Sequence, residues 1–423
     1  MYFDVTRSRL YRLLRWSERY TKTDMVYLAS GGFWVILGQA IAALSAFILA
    51  IAFANLAPQE TYGTYKYLTS IAAMFSIFSL PGMDVAVTRA SALGNEHVIH
   101  STTRFRIFFS LIGTAVALLG SGWYWMHHNN ELALALLIIG ALLPVFDTTA
   151  SYLSYLLGKR RFDLQIKYQA ITQIVSVAVL TAVLFVTDNI LAILLAYFIP
   201  LATMRAVFYL ATANTIPMRK QNNIDTETRE YGLHLTVMSI LNTVASQIDK
   251  ILLWQFLGPA QVAIYTFAIA IPEQLKGPLK GMGGIVLPKF AAQTPGEIRR
   301  GIPLLWRKLA LYAVGLCCIS AAYILAAPFI FAILFPLYTG SILYSQIFAL
   351  SLVTGVSAIA VAILSAQKKT AAQYVITTIQ PLVTIALLLI LVPSYGVMGA
   401  IVAIVISRFI AATIYIGSLL TLK

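Results

Sequence analysis

Twelve long apolar stretches constrain the fold of this chain more than any other sequence feature. A helix needs about 20 mostly apolar residues to cross a bilayer, and each stretch reaches that length. Hydrophobic residues make up 59% of the 423 residues and charged residues only 11%, which excludes a soluble domain. The stretches lie at residues 27–55, 62–88, 105–126, 132–157, 166–187, 190–213, 231–256, 261–287, 304–335, 341–365, 371–392 and 396–420.

The lysine and arginine residues alternate between the connections. Of the 30 Lys and Arg residues, 24 lie in every second connection or at the chain ends, and the other connections contain none. Cytoplasmic loops carry the Lys/Arg excess, so this pattern fixes orientation. The sequence therefore predicts an all-α, multi-pass protein of the cytoplasmic (inner) membrane, with 12 transmembrane helices and both termini cytoplasmic.

Other known classes of function are disfavoured by composition and spacing. The net charge of +14 is explained by this orientation and by anionic lipid headgroups, so we expect membrane lipids rather than nucleic acid as partners. Cys317 and Cys318 are adjacent in one apolar helix, a poor geometry for a metal site, and the histidines lack metal-ligand spacing. We expect no metal, no cofactor and no enzymatic activity.

The chain repeats itself at an offset of about 200 residues, as two parallel halves of six helices. We predict four parts: a cytoplasmic amphipathic segment at 1–24, a first half at 25–213, a cytoplasmic linker at 214–230 and a second half at 231–423. Matching pairs occur in the same order in both halves: Leu56-Ala57-Pro58 with Leu257-Gly258-Pro259, Lys159-Arg160 with Lys368-Lys369, and Met204-Arg205 with Ser407-Arg408.

Two segments resemble a known family. The segment SQIDKILL at 246–253, which runs into Phe256-Leu257-Gly258-Pro259, looks like the start of the second half in polysaccharide-repeat-unit flippases. The pattern Leu56-x-Pro58 followed by Tyr62-Gly63-x-Tyr65 is similar to the first-repeat signature of that family. The family, of O-antigen and capsule type, belongs to the multidrug/oligosaccharidyl-lipid/polysaccharide exporter superfamily.

The resemblance implies a transporter of polysaccharide biosynthesis. Its substrate would be an undecaprenyl-pyrophosphate-linked oligosaccharide repeat unit, flipped across the membrane by alternating access, with H⁺ or Na⁺ as candidate coupling ions. Candidate partners beyond this lipid-linked oligosaccharide are a polysaccharide polymerase and glycosyltransferases, as in O-antigen or exopolysaccharide synthesis. In such transporters the substrate binds near the midplane between the halves.

Ten charged residues lie within the apolar stretches once the bases that flank the connections, such as Arg106, are counted with the connections. A central charge costs roughly 2.5–3.5 kcal/mol on insertion scales, so most of these side chains must face one another or a hydrated cavity. The bases outnumber the acids, which favours an anionic substrate. The bases are Lys66, Arg205, Lys250, Lys276, Lys280 and Arg408, and the acids are Asp84, Asp147, Asp249 and Glu273.

The eighth stretch contains the best site candidates. Glu273, Lys276 and Lys280 follow the spacing i, i+3 and i+7 and share one helix face. Prolines and glycines interrupt this helix, which is tolerated where neighbours or water satisfy the freed carbonyls. We expect a cavity face that attracts a diphosphate; alternatively, Glu273 neutralises a lysine and the cluster only packs the bundle.

Four further bases are candidates for substrate binding. Arg205 and Arg408 occupy matched positions in the sixth and twelfth stretches and could receive the phosphate, or instead snorkel to the membrane surface or bond helix-end carbonyls. Lys250 lies in the outer third of the seventh stretch. Lys66 lies about one turn inside its stretch and could line the cavity or extend outward.

The acids are predicted to have different roles. Asp147 and Asp249 are candidates for ion coupling, although a structural ion pair is an alternative for Asp249. Adjacent helical residues point about 100° apart, so we expect Asp249 and Lys250 not to pair with each other. Asp147 should be isolated after Pro144, and Asp84 should pair locally with Arg89.

Two other functions remain as alternatives. A cation-coupled multidrug exporter of the same superfamily would need an acid-dominated cavity, whereas the bases here are in excess. A membrane glycan polymerase or ligase would need a sizeable outer loop, and every outer connection is only a few residues long.

Overall fold

The computed structural model describes residues 25–216, 224–291, 295–366 and 370–420, and throughout these ranges the regular structure is helical. The predicted all-α class is therefore confirmed. The predicted amphipathic segment at 1–24 lies outside the described residues. The α-helices are α1 Met25–Leu56, α2 Gln59–Phe75, α3 Gly82–Ala92, α4 Val98–Met126, α5 Asn130–Phe146, α6 Ser151–Gly158, α7 Phe162–Leu184, α8 Ile190–Ala213, α9 Thr226–Leu257, α10 Pro259–Ala291, α11 Pro295–Leu334, α12 Ile342–Ala349, α13 Ser357–Ala366 and α14 Thr370–Leu420; short 3₁₀ segments occupy Ser76–Ser79, Thr148–Ala150, Pro336–Ser341 and Leu350–Val356.

The helices are long and apolar enough for a multi-pass membrane protein. Among the described residues, eight helical segments meet the length and composition needed to span a bilayer, or nine if the bent pair α2–α3 is one span. The charged helices α9 and α10 are not among them, and α14 counts once although Gly396 interrupts it with a positive φ of 58°. The number of twelve spans therefore stays a prediction.

Several predicted spans are broken rather than straight. Helices α2 and α3 meet at a bend of 49°, across the 3₁₀ segment Ser76–Ser79 and Pro81. In α5, Pro144 cannot donate a backbone hydrogen bond to the Gly140 carbonyl oxygen, and Thr114 Oγ1 donates to that oxygen at 2.7 Å instead. These breaks expose backbone groups that polar side chains can reach from other helices.

The predicted halves contact each other mainly along a seam formed by α2 and α3 of the first half and α9 and α10 of the second. At the end predicted to face outward, a Cβ atom on Gly63 would overlap the Pro259 carbonyl. At the end predicted to face the cytoplasm, the Gly82 N–H donates to Thr236 Oγ1 at 3.1 Å. The halves therefore touch at both ends of the seam.

Aromatic packing closes the end of this seam that is predicted to face outward, called its outer end below. The rings of Tyr62 and Phe267, one from each half, lie 4.7 Å apart, and those of Tyr67 and Trp254 stack at 4.4 Å. Aromatic pairs of this kind contribute about 0.5–1.5 kcal/mol beyond their buried area. The outer end of the seam is thus a packed core rather than an open channel.

The boundary of the predicted linker differs from the structure. Helix α8 ends at Ala213, as predicted, but α9 begins at Thr226, before the predicted end of the linker at residue 230. Asp225 explains the early start, because its side chain accepts a hydrogen bond from the Thr228 N–H at 2.7 Å and so caps the helix. Part of the linker, 217–223, lies outside the described residues.

Candidate functional site

A polar cavity lies within the second half of the chain. It has a volume of about 400 Å³, and Lys250, Asp249, Glu273 and Arg408 line it. A second cavity of about 280 Å³ shares Glu273 and Arg408 with the first and adds Lys276. Helices α9, α10 and α14 thus bring five predicted site residues to one polar region, with Asn242, Ser246, Gln380, Thr384 and Ser407 around them.

Glu273 is the centre of one charged group in this region. Its carboxylate pairs with Lys276 Nζ at 3.7 Å and with the Arg408 guanidinium. Arg408 Nη1 also donates to Ser351 Oγ at 3.1 Å. Both cations lie over the Phe348 ring, at 5.6 Å for Lys276 and 4.8 Å for Arg408. The carboxylate and the aromatic ring thus hold two bases side by side at the cavity wall.

Asp249 is the centre of a second group. The Tyr265 hydroxyl donates to Asp249 Oδ2, and Lys250 Nζ lies 3.1 Å from Oδ1. The prediction that these adjacent residues do not pair is wrong. The long lysine side chain folds back along α9, with Nζ 3.4 Å from the Ser246 carbonyl, so the angle between Cα–Cβ bonds does not keep the charges apart. The buried carboxylate of Asp249 is therefore compensated on both oxygens.

Lys66 lies in the first half, close to the second. Its Nζ is 5.3 Å from the centre of the Tyr62 ring and 5.6 Å from that of Tyr65. It is also near enough to Lys250 for the two positive charges to repel each other. Lys66 therefore adds a base beside the cavity from across the seam, without being one of its lining residues.

A third charged group lies in the first half, around Arg106, which is only 1% exposed. Arg106 donates from Nη1 to Asp84 Oδ1 at 2.8 Å and from Nε to the Ser79 carbonyl at 2.6 Å. The predicted local pair of Asp84 with Arg89 is wrong, since Arg89 pairs with Glu227 at 2.9 Å across the seam. Asp84 and Arg89 are only five residues apart on one helix, but Asp84 pairs instead with Arg106, a buried arginine of another helix.

Asp147 is close to two arginines, so the prediction that it is isolated is wrong. It directly follows the last residue of α5, and the charges of Arg106 and Arg205 both act on its carboxyl group. Arg205 Nη1 donates to the Phe146 carbonyl at 2.7 Å. Sequence distance hid this arrangement, because Arg106 and Arg205 come from helices 41 and 58 residues away.

The family of this chain is shown by a match to a family model. The model of the polysaccharide biosynthesis protein family matches residues 28–291, which is more than half of the chain. The chain belongs to this family. It is thus a multi-pass membrane protein of the polysaccharide biosynthesis transporters, as the resemblance implied. A comparison with curated proteins finds no match to this family member.

Solved structures show which fold this family member has. An inward-facing multidrug resistance MATE family transporter of the MOP superfamily superposes with a TM-score of 0.65 and 14% identity, over 91% of this chain and 95% of the other. The lipid II flippase MurJ, in an inward closed conformation, gives 0.66 and 14%, over 92% and 87%. A MOP superfamily transporter from Pyrococcus furiosus, described as having a binding pocket of reverse polarity, gives 0.62 and 14%, over 93% and 95%. The polysaccharide biosynthesis family member therefore has the MOP transporter fold.

The matched arginines both contact helix breaks in this family member. Arg205 bonds the carbonyl just before the 3₁₀ segment Thr148–Ala150, and Arg408 bonds Ser351 within the 3₁₀ segment Leu350–Val356. Their role in receiving phosphate stays a prediction. Lys280 lies in α10, but its side chain is outside the described residues, so its shared face with Lys276 also stays a prediction.

The chemistry available in the second-half cavities is reversible ion binding. Three bases and two acids line them among the described residues, which leaves one positive charge in excess. Within that same part of the chain, no group of three His, Cys, Asp or Glu residues is arranged to hold a metal ion. The arginine offers a planar pair of donors, which matches a phosphate or carboxylate oxygen pair.

Proposed function

We propose that this protein is a flippase that carries an undecaprenyl-pyrophosphate-linked oligosaccharide from the cytoplasmic to the outer leaflet by alternating access. The proposal includes 12 spans in two parallel halves, with both termini in the cytoplasm. It also assigns residues 1–24 to the cytoplasmic membrane surface and 214–230 to the connection between halves. The observation that carries it is the excess of bases in the second-half cavities.

The charge balance favours an anionic substrate over a cationic drug. A cavity for cations should be dominated by acids, whereas here Asp249 and Glu273 are each paired with bases. Lys66 adds a further positive charge from across the seam. A diphosphate group would gain charge-assisted hydrogen bonds from Arg408 and Lys276, which are about twice as strong as neutral ones.

The size and lining of the cavities suit the head of such a lipid. The volume of about 400 Å³ is within the usual range of small-molecule sites, and that of about 280 Å³ is just below it. The amide and hydroxyl groups of Asn242, Gln380 and Thr384 offer hydrogen bonds to a sugar. The polyprenyl tail would stay in the bilayer while the charged head enters the cavity, so the cavity need not contain the whole substrate.

Asp147 and Asp249 are our candidates for coupling to H⁺ or Na⁺. Asp249 borders the cavity and accepts hydrogen bonds from Tyr265 and Lys250, so a change in its protonation would alter both partners. Asp147, in the first half, is acted on by the charges of two arginines and does not line the cavity. A polysaccharide polymerase and glycosyltransferases are proposed as functional partners, since they would use the flipped product and supply the substrate.

The test is to replace Lys276 and Lys280 together by alanine, in cells that depend on this protein for surface glycan. Removing two positive charges should weaken diphosphate binding, so lipid-linked oligosaccharide should accumulate and surface glycan should fall. The control replaces Arg104 and Lys167, two exposed bases, by alanine and should leave both products unchanged. Normal surface glycan at a normal protein level in the first variant would refute the assigned site.

A further inference from the structure

Glu273 occupies the positions that the proposed substrate needs. Its carboxylate contacts both Lys276 and Arg408, the two bases that lie over the Phe348 ring at the cavity wall. A carboxylate and a phosphate offer similar oxygen pairs to a guanidinium. Glu273 therefore imitates, from within the protein, an anion bound at these two bases.

A diphosphate cannot use these bases fully while Glu273 holds them. The side chain of Glu273 is 34% exposed and borders both cavities, so it has space to move away from Arg408. Once displaced, its carboxylate would lie beside the anion that replaced it. Like charges at such a distance disfavour ionisation, so the displaced carboxyl group would bind a proton more readily than before.

We propose, on the basis of the flippase function above, that Glu273 is an internal anion that competes with the substrate diphosphate for Lys276 and Arg408. Binding of the diphosphate displaces the Glu273 carboxylate, which takes up one proton from water. Release of the diphosphate returns the carboxylate to the two bases and returns the proton to water. Anion binding and proton binding at Glu273 thus support each other.

The surroundings of Glu273 favour this exchange over one at Asp249. Asp249 is buried and receives hydrogen bonds from Tyr265 and Lys250, so its displacement would break a compensated group. The α12, α13 and 3₁₀ side chains that border the cavities, such as Phe348, Thr354 and Ser357, are not titratable in this range. The titratable and charged groups around Glu273 among the described residues are Tyr265 and Lys276 on its own helix, Asp249 and Lys250 on α9, Arg408 on α14, and Lys66 beyond Lys250.

This competition would make the return step of the empty transporter easier. After substrate release, the cavity must reorient without its anion, and two uncompensated bases in a closing, dehydrated cavity are costly. Glu273 neutralises part of that charge during the return step. Glu273 therefore weakens substrate binding but makes the return step of the empty transporter less costly in free energy.

The experiment measures binding of farnesyl diphosphate, a short prenyl diphosphate probe, to the purified full-length protein between about pH 8 and pH 5.5, a range that brackets titration of a raised carboxyl group. The measured quantity is the affinity of Glu273→Gln divided by that of the unmodified protein. Titration of the probe itself cancels in this ratio. Glu131→Gln, an exposed acid far from the cavity in sequence, is the matched control.

At high pH, Glu273→Gln should bind the probe more tightly by about tenfold, because the competitor has lost its charge. The ratio should fall towards one as the pH is lowered, while it stays at one throughout for Glu131→Gln. Calorimetry of the unmodified protein, in buffers of different ionisation enthalpy, should also show proton uptake on binding beyond that of the probe. This second measurement does not depend on folding of the variant.

The possible failures separate the two proposals. Binding with a ratio that stays at or below one, and without proton uptake by the unmodified protein, would overturn the role of Glu273 but leave the diphosphate site intact. Absence of probe binding in every variant and at every pH would overturn the diphosphate site and, with it, the proposed competition.

Discussion

Replacement of Arg106 by methionine should destabilise the protein more than is expected for a base near the start of an apolar stretch. The guanidinium is almost fully buried and connects the two broken spans of the first half. It donates to the Ser79 carbonyl in the break between α2 and α3, and to Asp84 at the start of α3. Methionine keeps most of the apolar volume but removes every donor.

The magnitude follows from these bonds. A hydrogen bond from a charged donor contributes about 1.5–3 kcal/mol, and the 2.6 Å bond to the Ser79 carbonyl has good geometry. The Asp84 side chain is 41% exposed, so solvent screening reduces this ion pair to about 1 kcal/mol. The third bond, to the Asp147 carbonyl at 3.4 Å, is too long to add much. The expected total loss is about 3 kcal/mol.

Thermal unfolding of the purified protein in detergent measures this loss. With an unfolding entropy of about 2.1 cal/mol/K per residue, the Tm of a 423-residue chain should fall by about 3 °C. Arg104→Met is the matched control, because Arg104 lies two residues away on the same helix and is exposed. Its Tm should change by less than about 1 °C. Equal Tm values for the two variants would refute the structural role assigned to Arg106 at the break between α2 and α3.

Two further predictions test the seam and the cavity. Gly82→Ala should reduce glycan export, because the added Cβ would overlap the α9 backbone at Thr236. Gly122→Ala is the control and should not reduce export, because Gly122 has open space around it. Accumulation of lipid-linked oligosaccharide in cells distinguishes the two variants. Tyr265→Phe should lower stability by about 2 kcal/mol, because Asp249 loses a hydrogen bond to a buried carboxylate. An unchanged unfolding temperature would contradict that hydrogen bond.

The sequence predicted the helices better than the contacts between charges. Hydropathy and the Lys/Arg alternation locate apolar segments, since both depend on residues that are close in the chain. The pairing of Asp84 with Arg106 depends instead on how α3 and α4 pack, so the nearer Arg89 was the wrong partner. Arg106 itself was counted as a connection base, because a buried arginine and a peripheral one look alike next to a span.

Spacing was more informative where both partners lie on one helix. The i, i+3 relation of Glu273 and Lys276 predicted a shared face, and the structure confirms it with an ion pair of 3.7 Å. The second partner of Glu273, Arg408, is 135 residues away and could not be found in this way. The twelfth stretch did contain a signal, since Arg408 is an isolated base in an apolar helix.

The different partners of the matched arginines distinguish the two halves. Arg205 donates to a backbone carbonyl, which cannot leave without unwinding the end of α5. Arg408 donates to the buried Ser351 hydroxyl and to the Glu273 carboxylate, which borders the cavity and can rotate away when an anion enters. A side-chain partner can leave an arginine by rotation, whereas a backbone carbonyl can move away only if the chain shifts. We therefore infer that the second half binds the anion, while the charges of the first half mainly keep its broken helices in place.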